Sequence, residues 1–148
     1  MAAVDARVRR CAGYRWRGVK VEPYKLERSG DWQQALRQVL LAGSRGVPVG
    51  FDARYFEIGP GGSTSLERHR HAHFVMGLRG RGEVRAGRTW RALEMLDFCY
   101  IGPNVVHQLR NRGSEPFGFL CVVDARRDRG VAVTPSKKRR PRKRGRLS

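Results

Sequence analysis

A chain of 148 residues can hold one domain with a sizeable core plus tails. No stretch approaches the ~20 consecutive apolar residues of a membrane-spanning helix, and 18 glycines with 7 prolines argue for many turns rather than a helical bundle. The net charge of +18 is uneven: residues 137–146, KKRRPRKRGR, carry eight basic residues and no acid, leaving +10 of the +18 on the rest.

A block of like charge repels itself and has no apolar face to bury, so residues 125–148 are expected to form a basic, disordered tail. Such a tail offers two readings: nucleic-acid binding through residues 137–146, or a solvated end on an Arg-rich protein. Met1 to Val8 lacks the apolar run of a secretory leader. The three cysteines, Cys11, Cys99 and Cys121, are therefore expected as free thiols in a reducing cytoplasm. Cys99 and Cys121 fall inside apolar runs and read as small core residues.

Residues 1–50 read as a basic arm followed by edge strands. Arg7, Arg9, Arg10, Arg15 and Arg17 interleave with Tyr14 and Trp16, a pattern that suits either nucleic-acid stacking or an arm packed on the domain edge. Val19 to Tyr24 alternates as a short edge strand. Gly30 to Gly43 reads either as a helix capped by Asp31, with Trp32, Ala35, Leu36, Val39 and Leu40 on one face, or as a strand over Leu36 to Leu41.

From residue 51 to 124 the pattern is β. Ala53 to Ile58 predicts a strand bounded by Gly59-Pro60-Gly61-Gly62. Leu66 to Leu78 predicts a long strand or a bent pair. Glu83 to Ala86 and Thr89 to Leu93 predict a hairpin across Gly87-Arg88. Leu96 to Ile101, Val105 to Arg110 and Phe117 to Val123 predict three more strands. Many short strands at 8–12-residue intervals indicate a sandwich or barrel.

The chemistry concentrates in one stretch, Gly61 to Gly82, GGSTSLERHRHAHFVMGLRGRG. Glu67, His69, His71 and His73 are spaced by two, so on a strand all four share a face, while Arg68 and Arg70 point the other way. His107 lies in a later apolar stretch. Imidazole and carboxylate together suit Fe, Mn, Zn, Ni or Cu, so a divalent transition metal is the expected cofactor. The alternative is that these histidines are satisfied interior polar residues without a metal.

The intervals Gly61, five residues, Glu67, one, His69, three, His73, six, Gly80 resemble the first motif of the cupin superfamily. That motif reads Gly, five, His, one, His, three or four, Glu, six, Gly. His107, three residues, Asn111 resembles the end of the second. There, Leu96, Gly102 and Asn104 stand where the family has Gly, Pro and Gly, and Pro103 is shifted by one place.

The resemblance implies an all-β, antiparallel jelly-roll barrel with a site in its mouth. It implies a metal ligand set of Glu67, His69, His73 and His107, with the family's first His and its Glu exchanged. Glu67 is then ligand, base or partner of a three-His site, and His71 an alternative ligand or pocket residue. Phe98, Tyr100, Leu109, Phe117 and Phe119 become pocket-lining or core positions.

The resemblance further implies a metal-dependent enzyme on a small molecule, with a dioxygenase as the commonest analogue for three His and one carboxylate. A non-catalytic ligand or metal sensor is the competing reading, and a nucleic-acid-associated protein the third. Small cupins are often homodimers through N-terminal strands, and Val19 to Leu41 is available for that role.

Overall fold

A computed structural model describes residues 6–25, 32–128 and 130–134. The basic run at 137–146 and the expected cap at Asp31 lie outside the described residues. The strands, in chain order, are β1 (Cys11–Ala12), β2 (Arg15–Trp16), β3 (Val21–Pro23), β4 (Gln33–Ala42), β5 (Phe51–Ser63), β6 (Glu67–Arg68) and β7 (His73–Arg79). They continue with β8 (Gly82–Ala86), β9 (Thr89–Leu93), β10 (Phe98–Ile101), β11 (His107–Arg110), β12 (Phe117–Asp124) and β13 (Val131–Ala132). Among the described residues the one helical element is a single 3-10 turn, Gly43–Arg45, and no helix is long and apolar enough to cross a membrane.

Strands β3 to β13 form one antiparallel sheet that curls into a nearly closed barrel. β5 is its spine, with β4 along one side and β12 along the other. β12 passes the sheet on to β7 and then to β10. At its far end β5 meets β11, which also pairs with β6 and β8. The two-residue side-chain period then fills the interior. Phe56 and Ile58 of β5, Val75 of β7, Leu109 of β11 and Phe117, Phe119 and Val123 of β12 are all buried in one apolar cluster. Phe119 stacks on Phe56 at 5.5 Å and lies 5.3 Å from Phe117. Complete burial of side chains such as Phe117 and Ile58 contributes about 1.5–3 kcal/mol each.

The opposite parity of β5 faces outward, yet Tyr55 is fully buried. The hairpin of β1 and β2 covers it, placing Trp16 at 5.1 Å and Tyr14 at 6.1 Å from its ring. Gln38 of β4, also fully buried, ties that hairpin down by donating to the Tyr14 carbonyl and accepting from the Trp16 backbone N–H. Tyr14 and Trp16 of the arm thus pack on the sheet, while Arg7, Arg9, Arg10, Arg15 and Arg17 remain exposed.

The ambiguous segment before residue 43 is strand. β4 pairs with β3 and β5. Ala35 is buried in the core opposite Ile58, Gln38 on the other face opposite Tyr55, and register shifts at Gln33/Ala35 and Val39/Leu41 interrupt the alternation. One strand expectation changes, and one open alternative is decided. Gly59 to Gly62 does not end the strand, because β5 continues to Ser63. These glycines permit close backbone approach: a Cβ on Gly62 would sit 2.6 Å from the Gln33 carbonyl oxygen. Leu66 to Leu78 is a bent pair, β6 and β7, with residues 69–72 outside either strand. Phe98 and Tyr100 are 66% exposed and neither line nor underlie the interior. They lie on β10, which among the described residues pairs only with β7, and this parity of β10 faces away from the barrel.

Candidate metal centre

Glu67 and His107 are register partners across β6 and β11. The chain leaves β6, bends through residues 69–72 and re-enters the sheet at His73, the first residue of β7. The bend folds His69 and His73 together instead of spreading them along a flat strand. One imidazole nitrogen from each of His69, His73 and His107 can be chosen so that all three lie within 4.8 Å of one another. The ring centroids of His69, His73 and His107 are 4.5 to 5.0 Å apart.

The hydrogen bonds orient these rings. His69 Nδ1 lies 2.9 Å from the His71 carbonyl oxygen, and His107 Nδ1 lies 2.9 Å from the Val105 carbonyl oxygen. A carbonyl only accepts, so both rings carry their proton on Nδ1 and turn a bare Nε2 inward. His73 Nε2 is 2.7 Å from His69 Nε2, and its Nδ1 is 3.1 Å from Cys121 Sγ. A metal with nitrogen ligands at ~2.0–2.1 Å would take both Nε2 atoms after a small adjustment, leaving the His73 proton on Nδ1 facing the thiol. Burial lowers the pKa of His69 and of His107. Burial, then the neighbouring His107 and His69, pushes His73 down to about 2. Three neutral imidazoles, each with its second nitrogen held, are a donor set that fits a divalent transition metal.

Glu67 lines the same cavity, and its carboxylate accepts from Lys25 Nζ at 2.7 Å. His71 stacks flat on His69, with centroids 3.6 Å apart and planes 4° from parallel. Its Nδ1 lies 3.0 Å from Asp128 Oδ1, and Asp128 also accepts from the backbone N–H groups of Arg70 and His71. The segment after β12 therefore folds back over the histidines, and β13 pairs with β6 beside Glu67. The cavity around these groups has a volume of about 490 Å³.

Residues 54–123 match the cupin domain family. The 1-methylthio-D-xylulose 5-phosphate methylsulfurylase of Rhodospirillum rubrum is 45% identical over 116 residues, which cover 78% of this chain and 72% of that protein. The chain belongs to the cupin superfamily. Two solved cupin-2 domain structures extend the likeness. That from Rhodospirillum rubrum has 42% identity and a TM-score of 0.74, covering 83% of this chain and 80% of that one. That from Rhodopseudomonas palustris has 40% identity and a TM-score of 0.78, covering 86% and 87%.

This cupin explains its own departures from the second motif. Leu96 and Asn104 stand at two glycine positions of that motif, and both adopt left-handed φ angles, +70° and +62°. The backbone requirement has persisted without the residue that meets it most easily.

Several cavity residues carried no weight in the sequence reading. Cys121 was read as core; it is buried, and it also touches His73. Arg54, Arg37, Lys25 and Arg127 line the cavity as well. For Arg54 a signal existed: in the alternating run Arg54, Phe56, Ile58 it occupies an inward position, where a charge is costly unless it has work to do.

Proposed function

We propose that this cupin is a metal-dependent enzyme that acts on a small phosphorylated keto sugar carrying a methylthio group, as the name of its Rhodospirillum rubrum relative describes for that protein. The observation that carries the reading is the cluster of His69, His73 and His107, with inward-facing nitrogens, in a cavity large enough for such a molecule. In this reading His69, His73 and His107 hold the metal and Glu67 is either a fourth ligand or the group that moves a proton. His71, latched to Asp128, lines the pocket and helps to place the ligand.

A bound divalent metal supplies Lewis-acid polarisation of a carbonyl oxygen. The chain's own part is to fix the rings, exclude water and handle protons beside that carbonyl. In a 1-methylthio-2-ketose the carbon bearing sulfur is next to the carbonyl. A thiol co-substrate attacks the sulfur and leaves with the methylthio group as a mixed disulfide. The electron pair of the broken carbon–sulfur bond is delocalised onto the carbonyl oxygen as an enolate, and that carbon then takes up a proton. In this reading Glu67, which accepts from Lys25 and lines the same cavity as the histidines, moves the proton at that carbon. Four cations among the cavity residues, Lys25, Arg37, Arg54 and Arg127, against the carboxylates of Glu67 and Asp128 favour an anionic substrate.

The test is direct. Metal-loaded protein is incubated with 1-methylthio-D-xylulose 5-phosphate, with and without dithiothreitol, and the methylthio signal is followed by NMR. Loss of the methylthio group, abolished in His107→Ala together with metal retention, is the expected result. Unchanged substrate with stoichiometric metal bound overturns the substrate assignment. Oxygen uptake by the same sample would instead favour a dioxygenase on the same histidines.

A further inference from the structure

Three of the four cavity cations already have carboxylate partners. Lys25 pairs with Glu67 at 2.7 Å, Arg37 with Glu22 at 3.1 Å and Arg127 with Asp52 at 2.7 Å. Arg54 differs. Among the described residues it forms no ion pair, and its one side-chain hydrogen bond runs from Nη2 to Cys121 Sγ at 3.4 Å, a weak acceptor. Its Nε is buried with no partner. The guanidinium rests on the Phe56 ring, 4.9 Å from its centroid, which fixes its plane without neutralising its charge.

The position of Arg54 is set by the sheet. Arg54 and Cys121 are register partners across β5 and β12, and Cys121 in turn touches His73. A guanidinium with unused donors therefore stands one side chain away from the histidine cluster, in the wall of the same cavity. An unmet buried donor costs free energy that a ligand oxygen recovers on binding. Guanidinium suits phosphate because its donors form a planar fork that matches two oxygens.

We propose that Arg54 receives the phosphate group of the substrate, with Arg37 and Arg127 flanking it as carboxylate-paired cations. The substrate's carbonyl end then lies toward His69, His73 and His107. The assignment rests on the reading above that the substrate is phosphorylated, and it adds the group that selects for that phosphate.

The experiment measures binding without turnover. Inorganic phosphate, D-xylulose 5-phosphate and unphosphorylated D-xylulose are titrated by calorimetry into the wild-type protein, Arg54→Gln and Arg54→Lys. Loss of the guanidinium is expected to weaken the two phosphate-bearing probes about tenfold or more and to leave D-xylulose unchanged, with Arg54→Lys recovering part of the loss. Equal phosphate affinity in wild type and Arg54→Gln overturns the proposal. A second measurement needs no variant: phosphate should protect Arg54 from phenylglyoxal in the wild-type protein, read by peptide mass. Equal modification with and without phosphate overturns it as well. Phosphate binding at Arg54 without turnover of the methylthio sugar sinks the reaction reading and leaves this site standing; turnover with an indifferent Arg54 does the reverse.

Discussion

His73 shows how one side chain acquires a role through its neighbours. Its Nε2 points at His69 and its Nδ1 at Cys121 Sγ, so the thiol sets the ring's rotation and, with a metal on Nε2, would hold the ring's one proton on Nδ1. Cys121 is thus a positioning residue. Replacing it with Val keeps an apolar side chain of similar bulk but leaves His73 Nδ1 without a partner. Metal affinity should fall about 10–100-fold, as for other partners of ligating histidines. Ser at this position restores an acceptor and should recover most of the loss. A competitive metal titration with circular dichroism on each variant checks both; unchanged affinity in Cys121→Val would show that the ring is held by packing alone. The histidine cluster was legible from its spacing, and the glycine intervals of the motif it resembles set His69 and His73 apart from His71. Cys121 was not legible as a partner, because FGFLCVV reads as uniform core and only the curl of β12 against β7 brings its sulfur to His73.

Elements in this barrel are shaped by close approach and by turns. Gly118 of β12 lies over Tyr55, where an added Cβ would sit 2.0 Å from the hydroxyl. Gly118→Ala must displace a fully buried ring and should cost about 1–3 kcal/mol, the range for overpacking. The turn before β10 has the opposite defect. Leu96 is 69% exposed and held at a φ of +70°, so it gives up little burial and bears left-handed strain of about 1–2 kcal/mol. Leu96→Gly should therefore stabilise the protein by about 0.5–1 kcal/mol after the entropy of glycine is counted. Urea denaturation of the two variants should move the midpoint in opposite directions. The strands were readable as alternation and the hairpin from β8 to β9 as its turn. Over Leu66 to Leu78 a long strand and a bent pair stayed equally open, because Glu67, His69, His71 and His73 keep one parity either way. Gly59 to Gly62 carried the composition of a turn, and its use as close packing against β4 depends on a partner strand distant in sequence.

At the scale of the whole molecule, the problem is a surplus of positive charge held together by few carboxylates. Three of them act as junctions. Glu57, on the outer face of β5, accepts from the Tyr55 hydroxyl at 2.9 Å and pairs with Arg79 at 3.0 Å and Arg15 at 3.3 Å. Glu22 joins Arg37 and Arg45, and Asp52 joins Ser44 and Arg127. Burial alone would raise the pKa of each, but the hydrogen bonds and opposite charges around them overcome it, and all three end below their ordinary values. A carboxylate with a lowered folded pKa contributes stability that is fully present above its unfolded value, 4.5 for Glu and 3.8 for Asp, and lost as pH falls through the folded value. Acidification also neutralises the 13 Asp and Glu side chains that bring 31 Lys and Arg charges down to a net +18, so self-repulsion grows in the same window. Stability should accordingly be flat with respect to these groups from pH 7 to about 5 and fall steeply below 4.5. Glu57→Gln separates this effect from general acid lability. It removes the anchor that ties the β1–β2 hairpin, through Arg15, to β5, so it should lower the melting temperature at pH 7 by about 5 °C and flatten the acid limb. Melting curves of both proteins from pH 7 to pH 3 measure it. Parallel curves with the same acid slope would mean that Glu57 contributes nothing through its charge, and that Tyr14 and Trp16 hold the hairpin by packing alone.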